Sequence, residues 1–169
     1  AGVPGLCAVL AACCLAQGAL GACDARRQAT TRFVLEDGLA HDPKHGLTWS
    51  RCSVGMAWDG SRCTGKAKLM RLDEARRHAR QLGAGWRLPT AQELASLLEP
   101  ACRNPSIDTR VFPDVRELYE GKAKYWSTTP VPDLPPLTYN IDFLNGEVDG
   151  NTPGIAMGVR LVRARRTAP

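Results

Sequence analysis

Gly60-Ser-Arg-Cys-Thr-Gly65-Lys66-Ala67 comes within one residue of a phosphate-binding loop, whose backbone N–H groups and lysine cradle phosphate oxygens. Ala67 stands where a magnesium-holding Ser or Thr belongs, no strand precedes the run, and Cys63 sits inside it, so nucleotide binding is set aside. His41 and His45 are four apart, a spacing that shares a metal only on a helix, and Pro43 and Gly46 make this segment a turn. His78 lies alone among arginines, and no Ser or Cys motif accompanies a histidine for nucleophilic or acid–base work. Asp142, Asn145, Glu147, Asp149 and Asn151 crowd oxygen atoms together as calcium loops do. Leu144 falls where an EF-hand needs a ligand, however, and Asx residues also gather at turns for local hydrogen bonding. The sequence leaves both readings of the Asp142–Asn151 segment standing.

The remaining chemistry is cationic. Arg71, Arg76, Arg77 and Arg80 lie on and beside one helical stretch; at roughly 100° per residue Arg76 and Arg80 share a face, with Arg77 on its flank. Arg160, Arg163, Arg165 and Arg166 crowd the C-terminal end. Guanidinium forks suit sulfate, phosphate and carboxylate groups, so Arg76, Arg77 and Arg80 are the candidate anion-binding residues. The competing reading is a solvated helix face plus a basic tail. Trp58 is the candidate exposed aromatic, while Trp49, Trp86 and Trp126 sit at strand or motif positions and are assigned to the core.

The elements that must position these groups start after an uncharged leader. Residues 1–23 hold no charged side chain, so the net charge of +5 belongs entirely to residues 24–169. "LCAVLAACCLAQGALGA" over 6–22 is shorter than the roughly 20 residues of a membrane span and ends in small residues, as an export signal does. Leu20-Gly21-Ala22-Cys23 resembles a lipobox, which makes Cys23 the lipidation candidate; an ordinary cleavage site near Ala22 and a retained membrane anchor are the alternatives. Residues 24–31 form a polar tether, 32–164 one domain, and 165–169 a basic tail. In an oxidising compartment Cys52 and Cys63 are natural disulfide partners, since only "SVGMAWDGSR" separates them. Cys102 is then a buried free thiol, or a partner for Cys23 if that residue escapes lipidation.

Residues 32–52 read as two strands around a turn at Asp42, Pro43 and Gly46. Residues 53–66 read as an irregular, Gly-rich loop. Leu72, Ala75, Ala79 and Leu82 recur at helical spacing, with Asp73 and Glu74 in the first turn and Gly83 as the stop. "GWRLPTAQEL" over 85–94 is a strand-to-helix corner: Pro89 ends an extended segment, and Thr90 with Glu93 forms a capping box. Alternation places Trp86 and Leu88 inward and Arg87 on the other side, facing a carboxylate or carbonyl. The corner therefore reads as structural rather than ligand-binding. Leu94, Leu97 and Leu98 face inward, and Pro100 ends the second helix. Strands are expected at 124–128, 138–144 and 158–163, with an Asn145-Gly146 hairpin turn. Two short helices among spaced strands give an α+β domain.

The segments "HGLTWSRCSVGMAWDGSRCTGKA", "LDEARRHARQLGAGWRLPTAQELASLL", "PSIDTRVFP", "YWSTTP", "YNIDFLNGEV" and "VRLVR", in that order over about residues 33–164, resemble the Lcl C-terminal domain family of bacterial exported proteins. The resemblance implies a C-type-lectin-like fold, two short helices packed on a looped antiparallel sheet with neighbouring termini. The family's named member is a surface adhesin that binds sulfated glycosaminoglycans, which implies an acidic glycan as partner here. Two departures matter. Calcium-dependent lectins of this fold use Glu-Pro-Asn or Gln-Pro-Asp with Trp-Asn-Asp, and Trp126-Ser127-Thr128 stands in place of the last. The formylglycine-generating oxidases of the wider fold need a reactive cysteine pair, whereas Cys52 and Cys63 read as structural. The sequence thus leads to an exported, envelope-associated, periplasmic or cell-surface binding domain for sulfated or acidic glycans, without enzymatic activity, catalytic residues, metal or cofactor. The alternative is a structural or protein-interaction module of the envelope with an envelope protein as partner. Nucleic acid is set aside, since no recognition motif and only ten aromatics are present.

Overall fold

A computed structural model describes residues 32–165. The leader, the Cys23 lipidation site, the tether and residues 166–169 of the basic tail lie outside the described residues. The domain is α+β, with two short helices and antiparallel sheets.

The first sheet joins both ends of the domain. β1 (Val34–Glu36), β2 (Leu39–Asp42) and β3 (Leu47–Ser50) run as an antiparallel meander, and β9 (Val162–Ala164) pairs with β3. Three strands stand where two were expected. The overlooked turn is Asp37-Gly38, with Asp37 in the left-handed region at φ 48°. β1 escapes a hydrophobicity reading because all three of its residues are exposed.

The stretch expected to be irregular holds a hairpin, β4 (Met56–Trp58) with β5 (Cys63–Gly65). The Cys52–Cys63 disulfide closes it, at a sequence separation of 11. Replacing both cysteines by alanine is expected to destabilise the domain by about 2–3 kcal/mol, the loop-closure entropy returned to the unfolded chain. The urea midpoint checks this, and an unshifted midpoint contradicts it. Cys102 is not the free thiol that one reading allowed: it is 2% exposed and disulfide-bonded.

α1 (Leu72–Leu82) follows the apolar spacing, with Leu72, Ala75 and Ala79 buried. Leu82, expected on the same stripe, is half exposed because the chain turns away at Gly83. The Glu74 carboxylate accepts from the Arg71 N–H at 2.9 Å, but arginine offers no acceptor in return. α2 (Ala91–Ala95) carries the full reciprocal box with Thr90, and Leu94 and Leu97 are buried.

β6 (Lys124–Pro130), β7 (Thr138–Asp142) and β8 (Glu147–Asn151) form the third sheet. The expected two-residue turn at Asn145-Gly146 is longer, because Phe143 leaves the strand. Its N–H donates to the Ala123 carbonyl at 2.9 Å and its ring, fully buried, meets Tyr125. The strand expected over 158–163 is also broken. Met157 exchanges backbone bonds with Met70, Gly158 bonds to Lys124 and Trp126 of β6, Val159 to Val54 and Leu161 to Ser50, so the segment follows no single strand. Gly158 permits this close passage, since a Cβ there would lie 2.8 Å from Leu118 and 3.0 Å from the Tyr125 ring.

Alternation along β6 separates two cores. Tyr125 faces one, with Trp49, Leu94, Phe112, Ile141 and Phe143; Trp126 faces the other, with Met70, Leu72, Ala75, Leu88 and Met157. Trp49 and Trp126 are fully buried, as the sequence implied.

Candidate functional site

Gly83, Ala84 and Gly85 all have positive φ and turn the chain sharply after α1. The Trp86 N–H returns to the Gly83 carbonyl at 3.0 Å, and Arg87 exchanges both backbone hydrogen bonds with Val162 of β9. The Pro89 carbonyl accepts from the Thr128 N–H at 2.9 Å, which lays β6 alongside the corner. These bonds bring α1, the 85–90 corner and β6 around one cleft of about 400 Å³, lined by Arg76, Ala79, Arg80, Trp86, Arg87, Leu88, Thr90 and Thr128.

The cleft's charges are not equivalent. Arg87 donates to both oxygens of Glu93, at 2.8 and 2.6 Å, and to the Leu88 carbonyl. The partners expected from alternation are therefore both present. Glu93 is held below the usual carboxylate range chiefly by the Arg87 hydrogen bonds, against the opposing effect of burial. Its Oε2 also accepts from the Thr90 N–H at 2.8 Å, so the ion pair and the α2 cap share one carboxylate. Arg76 and Arg80, one turn apart on α1, are exposed, and neither side chain meets a carboxylate among the described residues. Their charge remains available to a ligand.

Of the residues singled out from sequence, the structure brings Arg76 and Arg80 together in this cleft. Arg77 lies on the far flank of α1 and donates to Asp73 at 2.7 Å. Trp58 is half-buried, with the Arg51 guanidinium 4.1 Å over its ring. Arg51 is itself fixed by three backbone carbonyls, so Trp58 is not the open aromatic platform expected. Trp86 takes that place: only half-buried, it lines the cleft. Arg160, grouped by sequence with the basic end, is fully buried. Thr128 reaches the cleft from some forty residues away, where no local pattern could point to it.

The oxygen-rich turn is occupied by the protein's own cations. Lys124 Nζ lies 2.5 Å from Asp149 and 3.1 Å from Asn151 Oδ1, and Lys122 Nζ lies 3.4 Å from Glu147 and 3.8 Å from Asp142. Asp142 is further used up by N–H groups of Ala123, Leu144 and Asn145. Among the described residues no group of three or more His, Cys, Asp or Glu side chains is placed to hold a metal. His41 bonds Thr48 and Glu36 while His45 bonds Asp42, so the two imidazoles have separate partners.

In comparison with known protein families, the model described as Lcl C-terminal domain matches residues 38–163. No curated protein and no solved structure matches the chain.

Proposed function

The chain belongs to the Lcl C-terminal domain family, and from that membership we propose a non-enzymatic binding module of an exported bacterial protein, one that holds a sulfated or otherwise acidic glycan at the Arg76–Arg80 cleft. Arg76 and Arg80 carry the reading: two guanidinium groups without a carboxylate partner among the described residues share a cleft with an accessible indole. Imidazole, thiol and unpaired carboxylate, the groups that acid–base or covalent chemistry needs, are missing from the cleft lining, which favours binding over turnover. The pairing of β3 with β9 and the two short helices suit the C-type-lectin-like fold, which belongs to the same proposal. Export rests on the uncharged first 23 residues. Lipidation at Cys23, which Leu20-Gly21-Ala22-Cys23 suggests, is left out of the proposal, because Cys102 is disulfide-bonded and a lipidated Cys23 could not be its partner.

Retention on heparin against rising salt tests the cleft. Changing Arg76 and Arg80 together to alanine is expected to weaken binding by about tenfold or more. Changing Arg77 and Arg165 together removes the same charge outside the cleft and is expected to have little effect. Equal losses from the two pairs would reduce the retention to net charge and end the proposal. Binding is further expected to stay flat between about pH 5 and 8, because arginines do not titrate there. Glu93, lowered by Arg87, keeps its ion pair until the pH falls through its depressed value. A protein-interaction module without glycan ligand is the second reading, favoured by edge strand β1, where Val34 is 53% and Leu35 43% exposed. Loss of all specific retention would support it.

A further inference from the structure

The uncharged part of the cleft bears on which acidic ligand fits. Arg163 lies over one face of the Trp86 indole, 4.5 Å from its centroid, and is not among the residues around the cleft. Arg163 thus takes one face, the indole also packs against the second core, and part of its remaining surface lines the cleft. The indole N–H of Trp86 donates to no group among the described residues, and unlike those of Trp49 and Trp58 it is not sealed from solvent. Thr90 accepts from the Glu93 N–H through its hydroxyl oxygen, which leaves its own hydrogen to donate. The wall is thus rich in donors and poor in acceptors, with one aromatic surface and an apolar floor of Ala79 and Leu88.

A polyanion such as linear polyphosphate has oxygens for Arg76 and Arg80 but nothing to lay on an indole. A pyranose has both: a face of C–H groups that stacks on an aromatic ring, and a rim that carries sulfate or carboxylate. We infer that the cleft receives an acidic pyranose, with Trp86 stacked on the sugar ring while Arg76 and Arg80 take its anionic substituent. Trp86 is then the residue that selects a sugar over other anions of equal charge. The inference rests on the acidic-glycan reading above.

The full-length protein is titrated with a heparin-derived hexasaccharide and with linear polyphosphate of matched charge, at about 0.15 M salt. The hexasaccharide is expected to bind about tenfold more tightly, and Trp86→Leu to remove that advantage while changing polyphosphate binding by less than about twofold. Trp86→Phe, which keeps a ring face, is expected to retain most of the preference. Should Trp86→Leu fold poorly, the Trp58→Phe protein supplies an independent readout. There the hexasaccharide is expected to shift the indole emission and polyphosphate to leave it unchanged. Equal affinity for both ligands, with no emission shift, overturns the role of Trp86 but leaves an anion cleft. Binding of neither ligand above the Arg76→Ala, Arg80→Ala protein overturns the underlying reading as well.

Discussion

Arg160→Met is expected to destabilise the domain by about 3–5 kcal/mol, the usual result of removing one member of a buried ion pair. Arg160 is 0% exposed, and its guanidinium donates to the carbonyls of Ser50 and Arg51, to Ser53 Oγ, and at 2.7 Å to Asp114. The Phe112 and Tyr125 rings lie 4.9 and 5.5 Å from it. Methionine would fill much of the volume but abandon the Asp114 carboxylate, which is also buried. Burial alone would raise the Asp114 pKa; the Arg160 charge and the bonds from Ser53 and Arg160 outweigh it and hold the group below its ordinary value. A depressed carboxylate contributes stability that is present above its unfolded pKa, near 4, and lost as the pH falls through the lower folded value. The gap between wild type and Arg160→Met should therefore narrow on acidification. Replacing Asp114 by leucine in the same chain should recover part of the loss. Urea unfolding of the three proteins across pH checks both statements, and a single-variant loss below about 1 kcal/mol would show that the pair is not the keystone.

Trp126→Ala should cost about 3–5 kcal/mol as well, for a different reason. The indole is fully buried among Met70, Leu72, Ala75, Leu88 and Met157, and its N–H donates to the Met70 carbonyl at 3.0 Å. That carbonyl also accepts from the Met157 N–H, so losing the indole leaves no orphaned acceptor. The cost is then the cavity, and Trp126→Phe should recover most of it. The sequence assigns Trp86 to the core as well. Because Trp86 is only half-buried, its alanine variant should lose less stability than Trp126→Ala, and thermal denaturation of the two ranks them directly.

The contrast shows what a sequence displays and what it hides. α1 was legible because its burial follows a single periodicity, and the Thr90–Glu93 cap because both partners lie within four residues. The β4–β5 hairpin was not, since Gly and polar residues dominate it and a disulfide does part of the holding. Arg160 was read as surface because an arginine's burial depends on partners that lie 46 to 110 positions away. The cleft was half legible. Helical spacing gave Arg76 and Arg80 a common face, but it could not say that Trp86 and Thr128 would stand opposite, or that Arg77 would turn to Asp73.

The bonds between Arg87 and Val162 also order events in time. Met157, Val159 and Leu161 complete the second core, and Val162 ties down the corner that carries Trp86. A chain emerging from the ribosome can wind α1 early, yet the core that its inner face joins lacks Met157, Val159 and Leu161 until residues 157–162 appear. Such distant pairings delay folding, because loop-closure entropy is lost before the contacts that compensate for it form. The second core is therefore completed only when synthesis of the domain is nearly finished.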